Sequence, residues 1–157
     1  MSVGSGIDVH AFSDDPGRPL YLGGVLIPDS PGLGGHSDGD VVCHALMDAL
    51  LGALALGDLG SRFGTDDPSL EGVRSVELLG QVAGDVEAAG MRIRNLDVTV
   101  VAERPRLADH RVTIINSLAE HLGLRDQQVS VKVTSTDGLG AIGRGEGIAC
   151  WAVCQVE

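Results

Sequence analysis

Aromatic residues and positive charge are both scarce in this sequence of 157 residues. With only two Phe, one Tyr and one Trp, the core has to be built from Ala, Val, Leu and Ile. Eleven Lys and Arg residues stand against 22 Asp and Glu residues, which gives a formal net charge of −11. Such a chain is repelled by nucleic acid backbones and by anionic lipid, so we expect neither as a partner. An anionic substrate is acceptable only where a bound divalent metal becomes the largest local charge.

The sequence also shows no pairing pattern of cysteines, no apolar run long enough to span a membrane and no pattern typical of a targeting segment. The cysteines Cys43, Cys150 and Cys154 are odd in number and lack C-x-x-C spacing, which favours reduced thiols in a cytoplasmic protein. The most apolar stretch, 41–56, is too short to span a bilayer and contains two ionisable side chains. Residues 1–6 contain neither a basic group nor an apolar segment, so we expect no signal peptide.

Apolar periodicity and the positions of Gly and Pro predict eight elements in the order β-β-α-α-β-α-β-β. Strands are expected at 3–12, within 91–103, at 129–133 and at 148–156, with a hairpin or bulged strand at 19–27. Helices are expected at 40–56, 73–89 and 109–122. Asp38 is expected to cap the first helix, and 57–68 to form an irregular loop. The interleaved order predicts one α/β (α+β) domain over residues 1–157, with helices on one face of a mostly four-stranded sheet, plus the N-terminal hairpin.

The first candidate site begins at Asp8, which is two positions before His10. On a strand, side chains at this spacing share a face. His44, in the first predicted helix, supplies a second imidazole. One carboxylate and two imidazoles suit a catalytic zinc with an open fourth position, and they also suit non-haem Fe(II). A salt bridge at a strand edge is the alternative without a metal.

The first predicted helix has a polar stripe, because Asp40, His44 and Asp48 recur at every fourth residue. The positions opposite them are apolar. The stripe is therefore expected to point away from the core, toward a cleft or a neighbouring molecule. A solvated polar face is the alternative.

Four further segments contain groups that can bind phosphate or hydroxyl groups. The acidic loops 57–60 and 63–68 are flanked by glycines, although ordinary turns have the same composition. In 134–137, three hydroxyls can bind phosphate oxygens, and Asp137 is an oxygen ligand of the kind that Mg²⁺ prefers. The segment 143–147 places an Arg and a Glu between glycines, where they either pair with each other or take part in catalysis.

Five motifs in this chain together resemble one known family. They are Asp8-Val9-His10, His-Ser-Asp-Gly-Asp-Val at 36–41, the block 44–52, Gly-Asp-Leu-Gly at 57–60 and Gly-Arg-Gly-Glu-Gly at 143–147. In this order they are similar to the 2-C-methyl-D-erythritol 2,4-cyclodiphosphate synthases. The resemblance covers essentially the whole chain without large gaps.

The resemblance implies a phosphorus–oxygen lyase of the non-mevalonate route to isoprenoid precursors. The implied reaction converts 4-diphosphocytidyl-2-C-methyl-D-erythritol 2-phosphate to 2-C-methyl-D-erythritol 2,4-cyclodiphosphate and CMP. It proceeds by metal-assisted intramolecular attack of the 2-phosphate on the β-phosphate. The resemblance also implies a homotrimer whose active sites lie between adjacent subunits, with one zinc ion per site and Mg²⁺ or Mn²⁺ bridging the diphosphate.

Matched residue by residue, the resemblance assigns roles to particular side chains. It implies zinc binding by Asp8, His10 and His44. It implies that His36 and Ser135 act in catalysis as hydrogen-bond donors, and that Asp137 helps to hold Mg²⁺ or Mn²⁺. The residues implied in substrate binding are Asp8, Val9, His10, His36, Ser37, Asp58, Leu59, Gly60, Phe63, Gly64, Thr65, Asp66, Asp67, Ala102, Arg106, Leu107, Ala108, Thr134, Ser135, Thr136, Asp137, Ala141 and Arg144.

The chain departs from the family pattern at several positions, none of which is a zinc ligand. The usual Phe-Pro-Asp-Thr-Asp loop is Phe-Gly-Thr-Asp-Asp at 63–67. Ser135 replaces the second Thr of a Thr-Thr-Thr run, and Asp137 replaces a Glu. Arg106 replaces a Lys, and the position of Ala141 usually has an aromatic residue.

Two other functions stay open at this point. A non-haem iron oxygenase would use the same three ligands and would require O₂ or a 2-oxoacid, but it gives 134–137 no role. A non-catalytic trimeric binding protein would hold metal and CMP without turnover.

Overall fold

The computed structural model describes residues 1–64 and 70–157. These residues form six strands, β1 to β6, and five helices, α1 to α5. The strands are β1 (Ser2–Ala11), β2 (Leu20–Leu22), β3 (Val25–Ile27), β4 (Ile93–Val101), β5 (Val129–Thr134) and β6 (Gly147–Val156). The helices are α1 (Val41–Ala53), α2 (Leu59–Phe63), α3 (Ser75–Ala88), α4 (Arg111–His121) and α5 (Gly140–Gly143).

A four-stranded sheet in the order β1-β6-β4-β5 forms the base of the fold, and β2 and β3 form a separate hairpin. Strands β4 and β5 are parallel, whereas β6 runs antiparallel to both β1 and β4. Strands β1, β4 and β5 therefore end at the same end of the sheet. This architecture confirms the predicted α/β (α+β) fold, including the hairpin within 19–27.

Two local predictions for the first half of the chain are wrong. Asp40, rather than Asp38, caps α1, because its Oδ1 accepts the backbone N–H groups of Val42 and Cys43 at 3.0 and 3.1 Å. Part of the segment predicted as an irregular loop folds into α2, whose N-cap is Asp58. Glycines on both sides of this short helix obscured its pattern.

Helix α1 lies at the centre of the core. Ten of its 13 residues are buried, so it can pack on the sheet with one side and on α3 with another. The rest of the core consists mainly of aliphatic side chains from the inner face of the sheet, from the β2–β3 hairpin and from α3 and α4. Within the described ranges, no helix has the length and the apolar character needed to cross a membrane.

Two glycines of β1 allow α1 to approach the strand closely. A β-carbon on Gly4 would lie 1.9 Å from the carbonyl oxygen of Ala49, and one on Gly6 would lie 2.2 Å from that of Ala45. Neither position can hold a side chain unless α1 moves. Because His44 is adjacent to Ala45 in α1, this contact also fixes how close His44 lies to the inner face of β1.

The prediction that Asp40 faces a cleft is also wrong. Its side chain is fully buried, and its two carboxylate oxygens accept the N–H groups of Gly23 and Gly24 at 2.9 and 2.7 Å. Asp40 therefore fastens the β2–β3 hairpin to α1. His44, one turn later, is 7% exposed, and the half-buried Asp48 lies one turn beyond it.

The outer face of the sheet, which points away from the helices, is largely apolar and exposed along β1 and β6. Side chains alternate between the two faces of β1 and β6. Those on the outer face include Val3, Ile7, Val9, Trp151 and Val153, which are between 36% and 67% exposed. An exposed apolar patch of this kind is typical of a surface that contacts another molecule.

We expect Gly6→Ala to lower the free energy of unfolding by about 2 kcal/mol, because the new methyl group would overlap the carbonyl oxygen of Ala45. Gly80→Ala in α3 is the matched control, since no heavy atom lies within 4 Å of its added β-carbon. It should raise the stability by roughly 0.5–1 kcal/mol, because Ala is favoured over Gly in a helix. Urea denaturation of both variants measures the difference, and equal stabilities would contradict the close-packing argument.

Candidate functional site

Three side chains with metal-binding atoms meet where β1 packs against α1. Asp8 and His10 project from the inner face of β1, and His44 projects from α1. Asp8 Oδ2 lies 3.1 Å from His10 Nε2 and 3.0 Å from His44 Nδ1, and the two nitrogens are 3.3 Å apart. The three residues form a candidate metal-binding triad.

The spacing of the three donor atoms fits a tetrahedral metal ion. When nitrogen and oxygen ligands lie about 2.0–2.1 Å from zinc, the donors are about 3.3 Å from one another. The observed separations of 3.0, 3.1 and 3.3 Å are close to that value. Three protein donors leave a fourth position for a ligand, which is the arrangement of a catalytic rather than a structural zinc site.

Electrostatic coupling within the triad keeps Asp8 ionised. Burial raises the pKa of Asp8, but hydrogen bonds to His10 and His44 and their positive charge outweigh burial and hold it well below its ordinary value of 3.8. The hydrogen bond that His10 donates to Asp8 raises the pKa of His10 above 6.5, against the effect of burial. Protons on the triad side chains therefore compete with a metal cation for the same position.

The backbone carbonyl of Gly34 fixes the orientation of the His10 ring. His10 Nδ1 donates a hydrogen bond to this carbonyl oxygen. In the neutral imidazole the lone pair is then on Nε2, which faces Asp8 and His44. Partners of this kind commonly orient imidazole ligands and set their tautomer.

Arg18 organises the loop that contains His36. Its guanidinium group donates to the carbonyl oxygens of Leu33 at 2.5 Å and Gly35 at 2.9 Å, and also to that of Ser37. Three carbonyl groups bonded to one side chain fix the path of the loop. Sequence analysis missed Arg18, because a linear pattern does not show which carbonyl groups an arginine reaches.

The second nitrogen of His44 also has partners. Its Nε2 lies 3.0 Å from Ser37 Oγ and 3.0 Å from Ser75 Oγ. Ser75 is the first residue of α3, and its hydroxyl donates to Asp38 Oδ1 at 2.5 Å. Sequence analysis did not identify Ser75, which is 31 residues from His44 in the chain and occurs in no recognised motif.

A cavity of about 270 Å³ lies beside the triad. Its polar wall consists of Asp8, His10, His36, Ser37 and His44. The other lining residues, which we call the second wall, are Leu59, Gly60, Phe63, Gly64, Leu70 and Leu78. All of these residues except Leu70 and Leu78 were predicted from the sequence, so the structure brings nine predicted site residues to one cavity. A ligand in this cavity would meet both ionisable groups and apolar side chains.

Two carboxylates fix the start of α2, which forms part of the second wall. Asp58 Oδ1 accepts hydrogen bonds from Ser61 N at 2.8 Å and Ser61 Oγ at 2.7 Å. Asp48 Oδ1 accepts the N–H of Leu59 at 2.7 Å. Asp58, expected to contact substrate, therefore acts as a helix cap in this structure, and Asp48 connects α1 to α2.

The remaining predicted residues for which the structure gives positions lie mostly near the far edge of the sheet. They are Ala102, Arg106, Leu107, Ala108, Thr134, Ser135, Thr136, Asp137, Ala141 and Arg144. The segment 134–137 begins at the end of β5, and Ala102 follows β4. The sheet order puts three strand spacings, roughly 14 Å, between β1 and β5. Within one chain, this second group does not line the cavity beside the triad.

Glu103 organises the loop that follows β5. Its Oε1 accepts the N–H groups of Gly138 at 3.2 Å and Thr136 at 3.0 Å, and these bonds lower the pKa of Glu103. In the same loop, Ser135 Oγ donates to Asp137 Oδ1 at 3.2 Å. Glu103 was not identified from the sequence, because its partners are more than 30 residues away.

Both arginines of the second group have acidic partners. Arg144 Nε donates to Glu146 Oε1 at 2.6 Å, as one interpretation of this segment predicted, and Arg106 lies 4.0 Å from Asp109. All four side chains are exposed. Such pairs contribute little to stability, so the guanidinium groups stay accessible to a ligand.

The side chains of two predicted contact residues, Val9 and Leu107, do not line the cavity. Val9 points to the outer face of the sheet, and the side chain of Leu107 is 1% exposed. Contacts of these two residues with a ligand inside the cavity would have to come from the backbone. Thr65, Asp66 and Asp67 lie outside the described residues.

Comparisons with known proteins agree with the motifs. The model of the YgbB family matches residues 1–157. The 2-C-methyl-D-erythritol 2,4-cyclodiphosphate synthase of Desulfatibacillum aliphaticivorans is 48% identical over 157 residues, the whole of both chains. The bifunctional IspDF from Campylobacter jejuni gives a TM-score of 0.94 at 40% identity, covering 99% of this chain and 42% of that one. A 2C-methyl-D-erythritol-2,4-cyclodiphosphate synthase in its CDP-bound form gives 0.88 at 36% identity, covering 99% of each chain. The predicted family resemblance is confirmed.

We expect the Asp8–His10 interaction to stabilise the metal-free chain most strongly between about pH 4 and 6.5. The lowered pKa of Asp8 gives stability that is lost as pH falls below 3.8, and the raised pKa of His10 gives stability that is lost as pH rises beyond 6.5. Inside this window, Asp8→Asn should cost about 2 kcal/mol.

The measurement is urea denaturation of chelator-treated protein from pH 3 to 9, with Asp126→Asn as the control. Asp126 is an exposed carboxylate in the turn before β5, remote from the triad. A cost of Asp8→Asn that does not vary with pH would contradict the coupling between Asp8 and His10.

Proposed function

The chain belongs to the YgbB family, and from that membership we propose that residues 1–157 form one cyclodiphosphate synthase domain. The proposed enzyme converts 4-diphosphocytidyl-2-C-methyl-D-erythritol 2-phosphate to 2-C-methyl-D-erythritol 2,4-cyclodiphosphate and CMP, as a phosphorus–oxygen lyase of the non-mevalonate pathway. The observation that carries the proposal is the triad of Asp8, His10 and His44 beside a cavity that also contains His36. We further propose a cytoplasmic location, in keeping with three buried cysteines that form no disulfide.

We assign one zinc ion to Asp8, His10 and His44, whose donor spacing suits tetrahedral coordination. We assign Mg²⁺ or Mn²⁺ to Asp137, since Mg²⁺ usually binds one or two carboxylates together with substrate phosphates. When bound, the metals supply positive charge that offsets the repulsion between phosphate groups. This assignment allows a chain of net charge −11 to process a highly anionic substrate.

In the proposed reaction, an oxygen of the 2-phosphate forms a bond to the β-phosphorus. The bond between that phosphorus and the oxygen bridging to the α-phosphate breaks, and CMP leaves with the bridging oxygen. A phosphate monoester has a second pKa of about 6, so the nucleophile is largely dianionic at neutral pH and needs no strong base. The chain therefore has to align the two phosphates and to stabilise charge, rather than to remove a proton.

The positions of the side chains support the remaining roles that the resemblance implies. We assign to His36, in the polar wall of the cavity, and to Ser135, in the loop after β5, hydrogen bonds to charge that develops on the transferred phosphoryl group. The methylerythritol part would contact the wall formed by Leu59, Gly60 and Phe63. The cytidine and diphosphate part would contact the residues at the ends of β4 and β5, in keeping with the CDP bound to a relative.

We propose that the chain forms a homotrimer in which one subunit supplies the nucleotide-binding residues to the cavity of its neighbour. Within one chain, roughly 14 Å separates β1 from β5, too far for both groups to contact one phosphate. The exposed apolar residues on the outer face of the sheet, such as Ile7 and Trp151, supply a surface for the assembly.

We expect the purified chain to convert the diphosphocytidyl substrate to CMP and a cyclic diphosphate, observed by phosphorus NMR with Zn²⁺ and Mg²⁺ present. Asp8→Asn should reduce turnover by about 100-fold or more and lower the bound zinc, because it removes a donor from the triad. Asp126→Asn should keep the turnover and the zinc content of the wild type. Unchanged zinc content and activity in Asp8→Asn would refute the ligand assignment. Turnover that requires iron and O₂, or binding of CMP without turnover, would refute the proposed reaction.

We expect Trp151→Glu to break the proposed trimer, because it would place charges of one sign on the apolar face between subunits. Val112→Glu is the control, since Val112 is 61% exposed on α4, away from the sheet. Light scattering after size-exclusion chromatography should give three times the 16.2 kDa chain mass for wild type and Val112→Glu. Trp151→Glu should shift toward the mass of one chain, and a wild-type protein of single-chain mass would contradict the assembly.

A further inference from the structure

A hydrogen-bond chain lies behind His44, on the side away from Asp8 and His10. His44 Nε2 lies 3.0 Å from Ser75 Oγ, and Ser75 Oγ donates to Asp38 Oδ1 at 2.5 Å. Ser75 is fully buried and Asp38 is 9% exposed. These residues have no role in the proposed chemistry and were not predicted to contact the metal or the substrate.

The direction of this chain follows from the number of protons available. An ionised carboxylate only accepts hydrogen bonds, so the single hydroxyl proton of Ser75 goes to Asp38. Ser75 Oγ can then only accept a hydrogen bond from the imidazole. In the neutral imidazole, a proton on Nε2 completes the chain and leaves the lone pair of Nδ1 facing Asp8 and His10.

We propose that Ser75 is a positioning residue that holds His44 in the tautomer needed for metal binding. The inference rests on the zinc centre assigned under the proposed function and adds what orients its helical ligand. His10 is oriented by the carbonyl of Gly34, and Ser75 has the equivalent role for His44.

The position of Asp38 is itself strongly fixed. Asp38 Oδ2 accepts the backbone N–H of Ser75 and the Nε–H of Arg74, both at 3.1 Å. Arg74 also donates to the carbonyl oxygen of Gly24 at 2.8 Å, and its guanidinium lies 3.8 Å from the ring centre of Tyr21. The start of α3, the loop before α1 and the β2–β3 hairpin thus converge on the carboxylate that orients Ser75.

Ser37 could take part in a competing hydrogen-bond arrangement. Its hydroxyl lies 3.0 Å from His44 Nε2 and 3.1 Å from Ser75 Oγ. A hydrogen bond donated by Ser37 to Nε2 would force the imidazole proton onto Nδ1, where it would block the metal. With Ser75 accepting from Nε2, the Ser37 hydroxyl can donate to Ser75 instead, and the whole group is satisfied.

The test combines the tautomer of His44 with the affinity for Zn²⁺ alone. Nitrogen-15 NMR of the imidazoles, recorded on wild-type protein with and without Zn²⁺, shows which nitrogen carries the proton. Competition with a chromophoric chelator gives the zinc affinity of wild type, Ser75→Ala and Ser117→Ala. Ser117 is the control, because its hydroxyl makes a structural bond of 2.8 Å from α4 to Gly23 O, away from the triad.

We expect the zinc-loaded wild type to carry the His44 proton on Nε2. Ser75→Ala should bind zinc about 10- to 100-fold more weakly than wild type, and Ser117→Ala should not differ from it. His44 protonated on Nδ1 in zinc-loaded wild type, which needs no variant, would overturn the inference. A proton on Nδ1 would also remove His44 from the zinc ligands. Equal zinc affinities of Ser75→Ala and Ser117→Ala would overturn the inference and leave the zinc centre standing. A wild type that binds no Zn²⁺ refutes the centre and the inference together.

Discussion

The contact between α1 and β1 is the constraint on which the site depends. Gly4 and Gly6 let backbone carbonyl groups of α1 occupy the space where β-carbons of the strand would otherwise lie. That distance decides how far His44 lies from the Asp8 and His10 side chains on the strand. With donors already within 3.3 Å of one another, a shift of about 1 Å between helix and strand would remove one of them from a common metal. Core packing and the candidate metal centre therefore depend on the same interface.

The second constraint is charge. A chain with 22 acidic and 11 basic residues provides little attraction for a polyphosphate away from its metals. In the proposed site, the groups that bind the metals and the substrate are divided between two regions of the sheet. Carboxylate and imidazole ligands lie at β1, and hydroxyl groups, backbone N–H groups and one carboxylate lie after β5. These regions are at opposite edges of one sheet. The proposed active site therefore requires that chains associate through the outer face.

Local periodicity was enough to predict much of this structure. Alternation placed Asp8 and His10 on one face of a strand, and four-residue spacing placed His44 on a helix. The burial of Asp40 was not predictable in this way, because its partners are the N–H groups of a hairpin about 17 residues earlier. Arg18 and Ser75 were missed for the same reason, since each acts through contacts far along the chain. Sequence patterns thus predicted the residues of the candidate metal-binding triad, whereas the groups that orient them required the tertiary structure.

Anomalous diffraction at the zinc absorption edge, from crystals of the purified chain, tests the central claim most directly. The account predicts one zinc peak per chain, bounded by Asp8 Oδ2, His10 Nε2 and His44 Nδ1. It also predicts that the loop at 134–137 of a neighbouring subunit faces the same cavity. A zinc peak at another position, no zinc peak, or a cavity that no neighbouring chain approaches would contradict it.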